Sequence, residues 1–284
     1  MTSETDNEIL KKLEEEGKKK GLSPRFLEFY QRLLLIQSKA KQRIGIVKPK
    51  LSGKTINKRI ERGLPLITFG KLALDWSLVT SIFAEVTAAF ADYPDLFGEV
   101  PRSLTEPEGG SLLTEEAVKT WFEGARLPST IAVDDAGKYP LIEAIIHATL
   151  QPFLTSYSKA LLGFVDQERW RRGYCPICGG KPDFAFLDKE IGARWLLCSR
   201  CDTEWLFQRL QCPYCGTQDQ NALAYFTDDE GLYRLYVCEQ CKQYLKAIDL
   251  RQAKTEVLLP LERLLTLDID VQAQREGYRS SGQR

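Results

Sequence analysis

The chain has 284 residues, of which 43% are hydrophobic and 10% aromatic, a balance that supports a packed core and excludes wholesale disorder. The formal net charge is zero, so the chain as a whole is not a polyanion binder. The N-terminus lacks the apolar core of a signal peptide, and no stretch reaches about 18 uninterrupted apolar residues, so we expect a cytoplasmic protein without a membrane span.

Helical patterns dominate the first part of the chain. Ser23 followed by Pro24 is typical of a helix start, and apolar residues at three- and four-residue spacing predict a helix from there to about Gln42. Thr114 is predicted to cap a further helix with acids in its first turn. The other predictions are a charged helix over 5–20, a buried helix over 72–90, loops over 94–111, one helix or two broken near Pro152 over 140–164, and a helical tail from about 255.

The segment 39–62 differs from its surroundings because it holds nine Lys or Arg residues and one acid, Glu61. Pro49 and Gly53 interrupt any regular pattern in it. We therefore expect an extended basic arm or linker, which is solvated or contacts an anion.

All eight cysteines lie between residues 175 and 241, and each belongs to a C-x-x-C pair. The pairs are Cys175/Cys178, Cys198/Cys201, Cys212/Cys215 and Cys238/Cys241. A secreted disulfide framework would have more varied spacings and would follow a signal peptide. Four C-x-x-C pairs instead favour metal-binding knuckles, which are tight turns that present both thiols of a pair to one ion. The surrounding short runs of Tyr, Trp, Phe and Leu predict small β-hairpins.

An internal repeat organises these pairs, since CPICG at 175–179 matches CPYCG at 212–216 and RWLLCSRC at 194–201 matches RLYVCEQC at 234–241. The inner cysteines are separated by 19 and 22 residues, which a β-hairpin can span. Four thiolates form a closed tetrahedral site, and a glycine after each first knuckle accepts the positive φ that its turn requires, which assigns that role to Gly179 and Gly216.

The repeat supports sequential pairing of the cysteines, with one complete site in each copy, while interleaved pairing stays open. Zinc and iron cannot be separated by ligand type, because both accept four thiolates. A site with no open coordination position argues against hydrolytic catalysis.

Other functions have weaker support. Residues 175–245 contain seven Lys or Arg and ten Asp or Glu, the opposite of what phosphate binding by a zinc ribbon needs, so nucleic-acid binding is not expected. A thioredoxin-like dithiol explains four symmetric pairs less well than coordination does.

His147, the only histidine, fits a core or boundary position, and no catalytic set is recognised. A zinc-ribbon nucleic-acid adaptor that uses the basic arm, and a redox enzyme, remain as alternatives.

Several motifs resemble the FdhE family of formate dehydrogenase accessory proteins. They are YCPICGGKP at 174–182, LCSRCDTEWLFQRLQCPYCG at 197–216, CEQCKQYLKAIDL at 238–250 and REGY at 275–278. The most specific element is C-x-x-C-x-T-E-W followed by R-x-x-C-x-x-C, and the resemblance covers roughly residues 140–279. The basic arm is not a feature of that family.

This resemblance implies a cytoplasmic, non-enzymatic maturation factor that contacts the molybdenum- or tungsten-containing catalytic subunit of a respiratory formate dehydrogenase. It also implies that all eight cysteines are metal ligands and that iron is favoured over zinc. Asp202, Glu204 and Trp205 are candidates for supporting roles beside the second knuckle, Trp205 alternatively being a simple core residue. A homodimer stays open.

The expected fold class is α+β, with a mainly α-helical domain over 1–172 that includes the basic arm. Two small rubredoxin-like or zinc-ribbon β modules follow at 173–210 and 211–250. A C-terminal helix and tail occupy 251–284.

Overall fold

The structure is a computed structural model, which describes residues 4–49, 51–105, 113–127 and 139–281. Its helices are α1 (Glu4–Lys19), α2 (Pro24–Ile44), α3 (Gly53–Glu61), α4 (Trp76–Ala91), α5 (Pro94–Phe97), α6 (Arg102–Thr105), α7 (Glu115–Phe122), α8 (Tyr139–Leu161), α9 (Leu259–Leu265) and α10 (Leu267–Arg275). Its strands are β1 (Pro182–Leu187), β2 (Arg194–Cys198), β3 (Glu204–Phe207), β4 (Leu223–Thr227), β5 (Tyr233–Cys238) and β6 (Gln243–Asp249). This arrangement confirms the α+β prediction.

The chain divides into two compact units, one of Met1–Val47 with Thr68–Ser156 and one of Lys48–Ile67 with Tyr157–Arg284. The predicted domains 1–172, 173–210, 211–250 and 251–284 place residues 48–67 in the helical domain, whereas these residues belong to the unit that contains the cysteines. None of the helices in the described ranges is both long and apolar enough to cross a membrane.

In the helical unit, caps set the helix starts as the sequence predicts. The Ser23 hydroxyl accepts a hydrogen bond from the Phe26 amide, and the Thr114 hydroxyl accepts one from the Ala117 amide, each at 3.2 Å. The core of this unit includes Phe29, whose ring packs against four other aromatic rings of the same unit. These are Tyr30, Phe90, Tyr93 and Phe97.

Helix α8 runs through Pro152 as one helix, which decides between the one-helix and two-helix predictions. A proline inside a helix has no N–H, so the carbonyl four residues earlier, that of Ala148, loses its helical donor. The buried Gln37 side chain donates to this carbonyl at 3.0 Å and replaces the missing hydrogen bond. His147, on the same helix, stacks on the Trp121 ring, which agrees with a core or boundary position.

The prediction of an extended basic arm over 39–62 is wrong. Helix α2 continues to Ile44, and α3 begins after Ser52, whose hydroxyl accepts a hydrogen bond from the Thr55 amide. Ile56 and Ile60 of α3 are buried, since their four-residue spacing places both on one helix face. The basic residues of α3 therefore belong to an amphipathic helix packed on its own unit.

A single six-stranded sheet, ordered β3-β2-β1-β6-β5-β4, contains both cysteine repeats. Each repeat supplies three antiparallel strands, and the two sets join where β1 pairs in parallel with β6. The predicted β modules are thus present as two halves of one sheet rather than as separate modules.

The predicted helical tail consists of α9 and α10, which pack on the sheet. Leu259 and Ile269 lie against a buried cluster that includes Phe184 and Ile248. Lys246 of β6 donates its ammonium hydrogens to the Asp270 carboxylate at 2.5 Å and to two carbonyls of the tail, so its buried charge is paired.

Candidate metal centres

The eight cysteine thiols gather into two groups of four, each with its sulfur atoms within 4.8 Å of one another. The first group is Cys175, Cys178, Cys198 and Cys201, and the second is Cys212, Cys215, Cys238 and Cys241. This grouping is the sequential pairing. Interleaved pairing does not occur, because the hairpin of each repeat returns its second knuckle to its own first knuckle.

The sulfur separations suit tetrahedral coordination. Neighbouring Sγ atoms lie 3.4–3.6 Å apart in the first group. In the second group, the Sγ atoms of Cys212 and Cys241 are 3.7 Å apart, as are those of Cys215 and Cys238. Four metal–sulfur bonds of about 2.3 Å in a tetrahedron would place the sulfurs about 3.8 Å apart. Each group therefore fits one thiolate-bound ion.

The four knuckles share one backbone conformation. The residue four positions after the first cysteine of each pair has a positive φ, at Gly179 (76°), Asp202 (55°), Gly216 (77°) and Lys242 (53°). Its amide donates to the carbonyl of that first cysteine at 2.8–3.3 Å. The glycines confirm the prediction for the first knuckle of each repeat. The positive φ angles of Asp202 and Lys242 were not predicted; aspartate is enriched at such angles and could have given a signal, whereas lysine gives none.

Backbone amides also point at sulfur in the first group. The amides of Ile177 and Cys178 approach the Cys175 sulfur at 3.4 and 3.5 Å, and the Gly180 amide approaches the Cys178 sulfur at 3.4 Å. Such N–H groups stabilise negative charge on sulfur. The turn is therefore suited to holding thiolates rather than neutral thiols.

The pKa shifts of the first group show why four thiolates need a cation. Burial raises the pKa of Cys201 well above its ordinary value, and hydrogen bonds with the other thiols raise it further. Burial also opposes ionisation of Cys175, but hydrogen bonds from three neighbouring thiols lower its pKa well below the ordinary value. Ionisation of one thiol thus suppresses that of its neighbours, and a bound cation would stabilise all four thiolates together.

The first group is enclosed, since all four of its cysteines are at most 4% exposed. Part of the cover comes from the segment after α3, where the amides of Leu66 and Ile67 donate to the carbonyls of Pro176 and Ile177 at 2.8 and 2.9 Å. Residues far from the cysteines in sequence therefore extend the first knuckle through backbone hydrogen bonds.

Trp205 is fully buried, and its indole N–H donates to the Arg172 carbonyl at 2.8 Å. It thereby fastens the residues before the first knuckle to β3. Glu204, beside it, has its pKa raised by burial and by the negative charge of Asp202. All three candidates for supporting roles lie beside the first group, Glu204 as the β3 residue that pairs with Leu197, the neighbour of Cys198.

Arg263 of α9 is a supporting residue that the sequence did not predict. Its guanidinium donates to the Asp202 carboxylate at 2.5 Å and to the Cys198 carbonyl at 2.6 Å, which ties the tail to the second knuckle. Its Nε atom lies 3.0 Å from a carboxylate oxygen of Asp183, a carboxyl whose pKa burial raises to about 6 against the opposing charge of Arg263. The sequence around Arg263 contains no signal that its partner, Asp202, lies 61 residues earlier in the chain.

The second group is more open, because Cys215 is exposed and Cys241 is half-buried. Its cover comes from nearby residues and the C-terminal tail, where the Arg279 amide donates to the Lys242 carbonyl and the Tyr278 hydroxyl donates to Glu239. The REGY motif at 275–278 thus lies beside the second knuckle of this group.

Comparisons with known proteins agree with this fold and with the position of the cysteine region. A family model described as "FdhE, central domain" matches residues 174–209. The crystal structure of the FdhE protein from Pseudomonas aeruginosa matches 97% of this chain and 94% of its own, with a TM-score of 0.59 and 22% identity, which supports the same fold.

Curated relatives give a second line of support. "Protein FdhE homolog" from Aquifex aeolicus is 40% identical over 140 residues, which are 45% of this chain and 49% of the relative. "Protein FdhE" from Escherichia coli O127:H6 is 30% identical over 115 residues, 39% of this chain and 36% of the relative. The matches thus span half or less of these relatives. The chain is thus similar to FdhE proteins in its cysteine region, and it shares its fold with one of them.

Proposed function

We propose that this protein is a non-enzymatic accessory factor in the maturation of a respiratory formate dehydrogenase that contains molybdenum or tungsten. In this role it binds the catalytic subunit of that enzyme in the cytoplasm. The observation that carries the proposal is the match to the FdhE central domain, which includes all four thiols of the first group.

The eight cysteines are proposed to bind two metal ions, one in each group. The sulfur separations and the backbone amides aimed at sulfur support this assignment. The family resemblance favours iron, and zinc is the alternative. Iron would supply one-electron redox chemistry, whereas four thiolates around either ion leave no coordination position for a substrate, which supports a binding role over hydrolysis.

Partner capture tests the accessory role. The tagged full chain is mixed with purified formate dehydrogenase catalytic subunit, and the bound fraction is measured at several salt concentrations. We expect a stoichiometric complex. Absence of capture, together with salt-dependent binding to DNA or RNA, would contradict the accessory role and favour a nucleic-acid adaptor.

Metal analysis with a visible spectrum of anaerobically purified protein tests the ions themselves. We expect two iron ions per chain and absorption from thiolate-to-iron charge transfer. Two zinc ions in a colourless protein would contradict the iron assignment and exclude one-electron redox chemistry at these sites, while leaving the two sites intact.

A further inference from the structure

The two edges of the sheet differ in whether other residues cover them. At the β3 edge, the Gln167 side chain accepts a hydrogen bond from the Leu206 amide at 3.1 Å, and Trp205 is fastened to the Arg172 carbonyl. Residues before the first knuckle therefore cover this edge, as proteins commonly do to prevent unwanted strand pairing.

The β4 edge has no such cover in the part of the chain that the structure describes. Strand β4 is the last strand of the sheet, and residues 224–227 are exposed. Tyr225 and Phe226 are 56% and 57% exposed, although their neighbours on β5 are buried or half-buried. Two large aromatic side chains thus lie on an open sheet edge.

The backbone of β4 presents hydrogen-bonding groups outward at alternate residues. The Asp228 amide donates to the Tyr233 carbonyl, and the Glu239 amide donates to the Ala222 carbonyl. Residues 228 and 222 therefore occupy hydrogen-bonded positions of the β4–β5 ladder. In an antiparallel ladder these pairs alternate with non-hydrogen-bonded ones, whose N–H and C=O groups face the other way. The outward-facing residues are therefore Leu223, Tyr225 and Thr227, which pair with β5 in an unbroken register.

This edge lacks the usual protection against strand addition. The β4 sequence, LAYFT, contains neither a charged residue nor a proline, and its pairing with β5 has no bulge. An exposed edge of this kind adds an extended peptide through main-chain hydrogen bonds, while pockets and charges beside it select the peptide sequence.

The hairpin that follows β4 is acidic, whereas Arg194 and Arg209 lie near Leu223 at the other end of the strand. The stretch from Asp219 to Glu230 contains four acids and no Lys or Arg. The nearest cation on β5, Arg234, pairs with the Asp249 carboxylate at 2.7 Å. Antiparallel pairing of β4 with a second copy about Tyr225 would place the hairpin acids of one copy near Asp219 of the other, so the charges favour a basic partner over self-association.

We propose that the outer edge of β4 binds an extended segment of a partner polypeptide that carries Lys or Arg residues, by strand addition to Leu223, Tyr225 and Thr227. The acids of the β4–β5 hairpin interact with the cationic side chains, and Tyr225 and Phe226 contact apolar side chains between them. This inference goes beyond the proposed function and does not depend on it.

Binding of a labelled synthetic peptide that alternates Val with Lys, to the full metal-loaded chain, tests the proposal by fluorescence anisotropy. We expect saturable binding that an otherwise identical Val–Glu peptide does not show. The Tyr225→Pro substitution removes an outward N–H without removing a β4–β5 hydrogen bond, and we expect it to weaken binding about tenfold or more. Tyr225→Thr retains the N–H and a strand-forming side chain but loses the aromatic contact, so it should weaken binding less than Tyr225→Pro does.

The charge contribution has its own pair of variants. Asp229→Lys with Glu230→Lys should weaken binding about tenfold at low salt. Glu190→Lys, in the exposed hairpin of the first repeat, should leave it unchanged. Asp228 is left unaltered because its carboxylate accepts a hydrogen bond from the Tyr233 amide within the hairpin.

Amide hydrogen exchange of the unaltered chain gives a readout that does not depend on the folding of any variant. The peptide should slow exchange at Leu223, Tyr225 and Thr227, because their amides face outward, with little change at Ala224 and Phe226. Protection elsewhere, equal binding by Tyr225→Pro, no binding of the basic peptide, or self-association through β4 in its place would each overturn the proposal.

Discussion

At the first tetrathiolate site all four cysteines are buried, whereas at the second site Cys215 is exposed and Cys241 is half-buried. The knuckles themselves do not account for this contrast, because all four have the same positive-φ turn and the same amide-to-carbonyl hydrogen bond. The difference comes from what surrounds them. At the first site, Leu66, Ile67 and Arg263 bind the backbone of the knuckles. At the second site, the end of the chain binds one knuckle, and Tyr214 in the other donates to the Pro182 carbonyl of the first repeat.

This contrast shows that the geometry of a cysteine site and its accessibility have different origins. The spacing and turn chemistry of each repeat set the geometry of its four sulfurs. The stability and accessibility of the site depend on neighbours that the repeat does not contain. Four experiments, from the largest expected effect to the smallest, test this separation.

Removal of one knuckle should have the largest effect. Because a structural tetrathiolate ion supplies on the order of 10 kcal/mol of folding free energy, we expect Cys175→Ser with Cys178→Ser to lose one ion and to unfold β1–β3. Cys212→Ser with Cys215→Ser should also lose one ion but keep β1–β3 folded. Metal content per chain and amide exchange of each strand measure the outcome. Unchanged metal content in the first variant would contradict the sequential ligand set.

Replacement of Trp205 or Leu245, which follow the second knuckles of the two repeats, should lower stability by different amounts. Trp205 and Leu245 occupy the same position in each repeat and are both buried. Trp205→Ala should lower the free energy of unfolding by about 3–5 kcal/mol, and Trp205→Phe, which loses the hydrogen bond to Arg172, by about 1 kcal/mol. Leu245→Ala should cost about 2–4 kcal/mol, without exposing the cysteines of the first site.

Denaturant unfolding and alkylation of the cysteines measure these effects together. If Trp205→Ala left Cys175 and Cys178 as unreactive as in the unaltered chain, Trp205 would be a core residue without a role in enclosing the first site.

Metal release should follow the order of exposure. With a chromogenic chelator we expect two phases, the second site losing its ion at least about tenfold faster, which corresponds to about 1.4 kcal/mol in the barrier. Mass spectrometry of alkylated protein should then show Cys215 and Cys241 modified before Cys175. In denaturant all eight cysteines should react together, which is the control. Simultaneous modification of both groups in the folded chain would remove the contrast.

Alanine at the knuckle glycines should show the smallest effect. Gly179 and Gly216 have nearly equal φ angles, so both substitutions carry a similar backbone cost of about 1–2 kcal/mol. A Cβ atom at Gly179 would also lie 3.0 Å from Pro65, whereas at Gly216 the nearest atom is 4.0 Å away. We therefore expect Gly179→Ala to lower the thermal midpoint more than Gly216→Ala does. Equal thermal midpoints would show that Pro65 moves away from the added Cβ atom without loss of stability.

The sequence predicted features that depend on neighbours close in the chain. Helix starts at Ser23 and Thr114 follow from side chains that reach amides three residues away, and the glycines of the first knuckles follow from turn chemistry. The basic segment was mispredicted because its charges were more conspicuous than Ile56 and Ile60, whose helical spacing indicates a packed face.

By itself, then, the sequence determined the eight candidate ligands, their division into two repeats and the α+β class, because spacing, turns and periodicity are local properties. The tertiary structure decided which thiols lie together, that β1 and β6 join both repeats into one sheet, and that Leu66, Ile67 and Arg263 support the first site. These contacts link residues tens of positions apart. They depend on how whole elements pack, and no spacing along the chain encodes that.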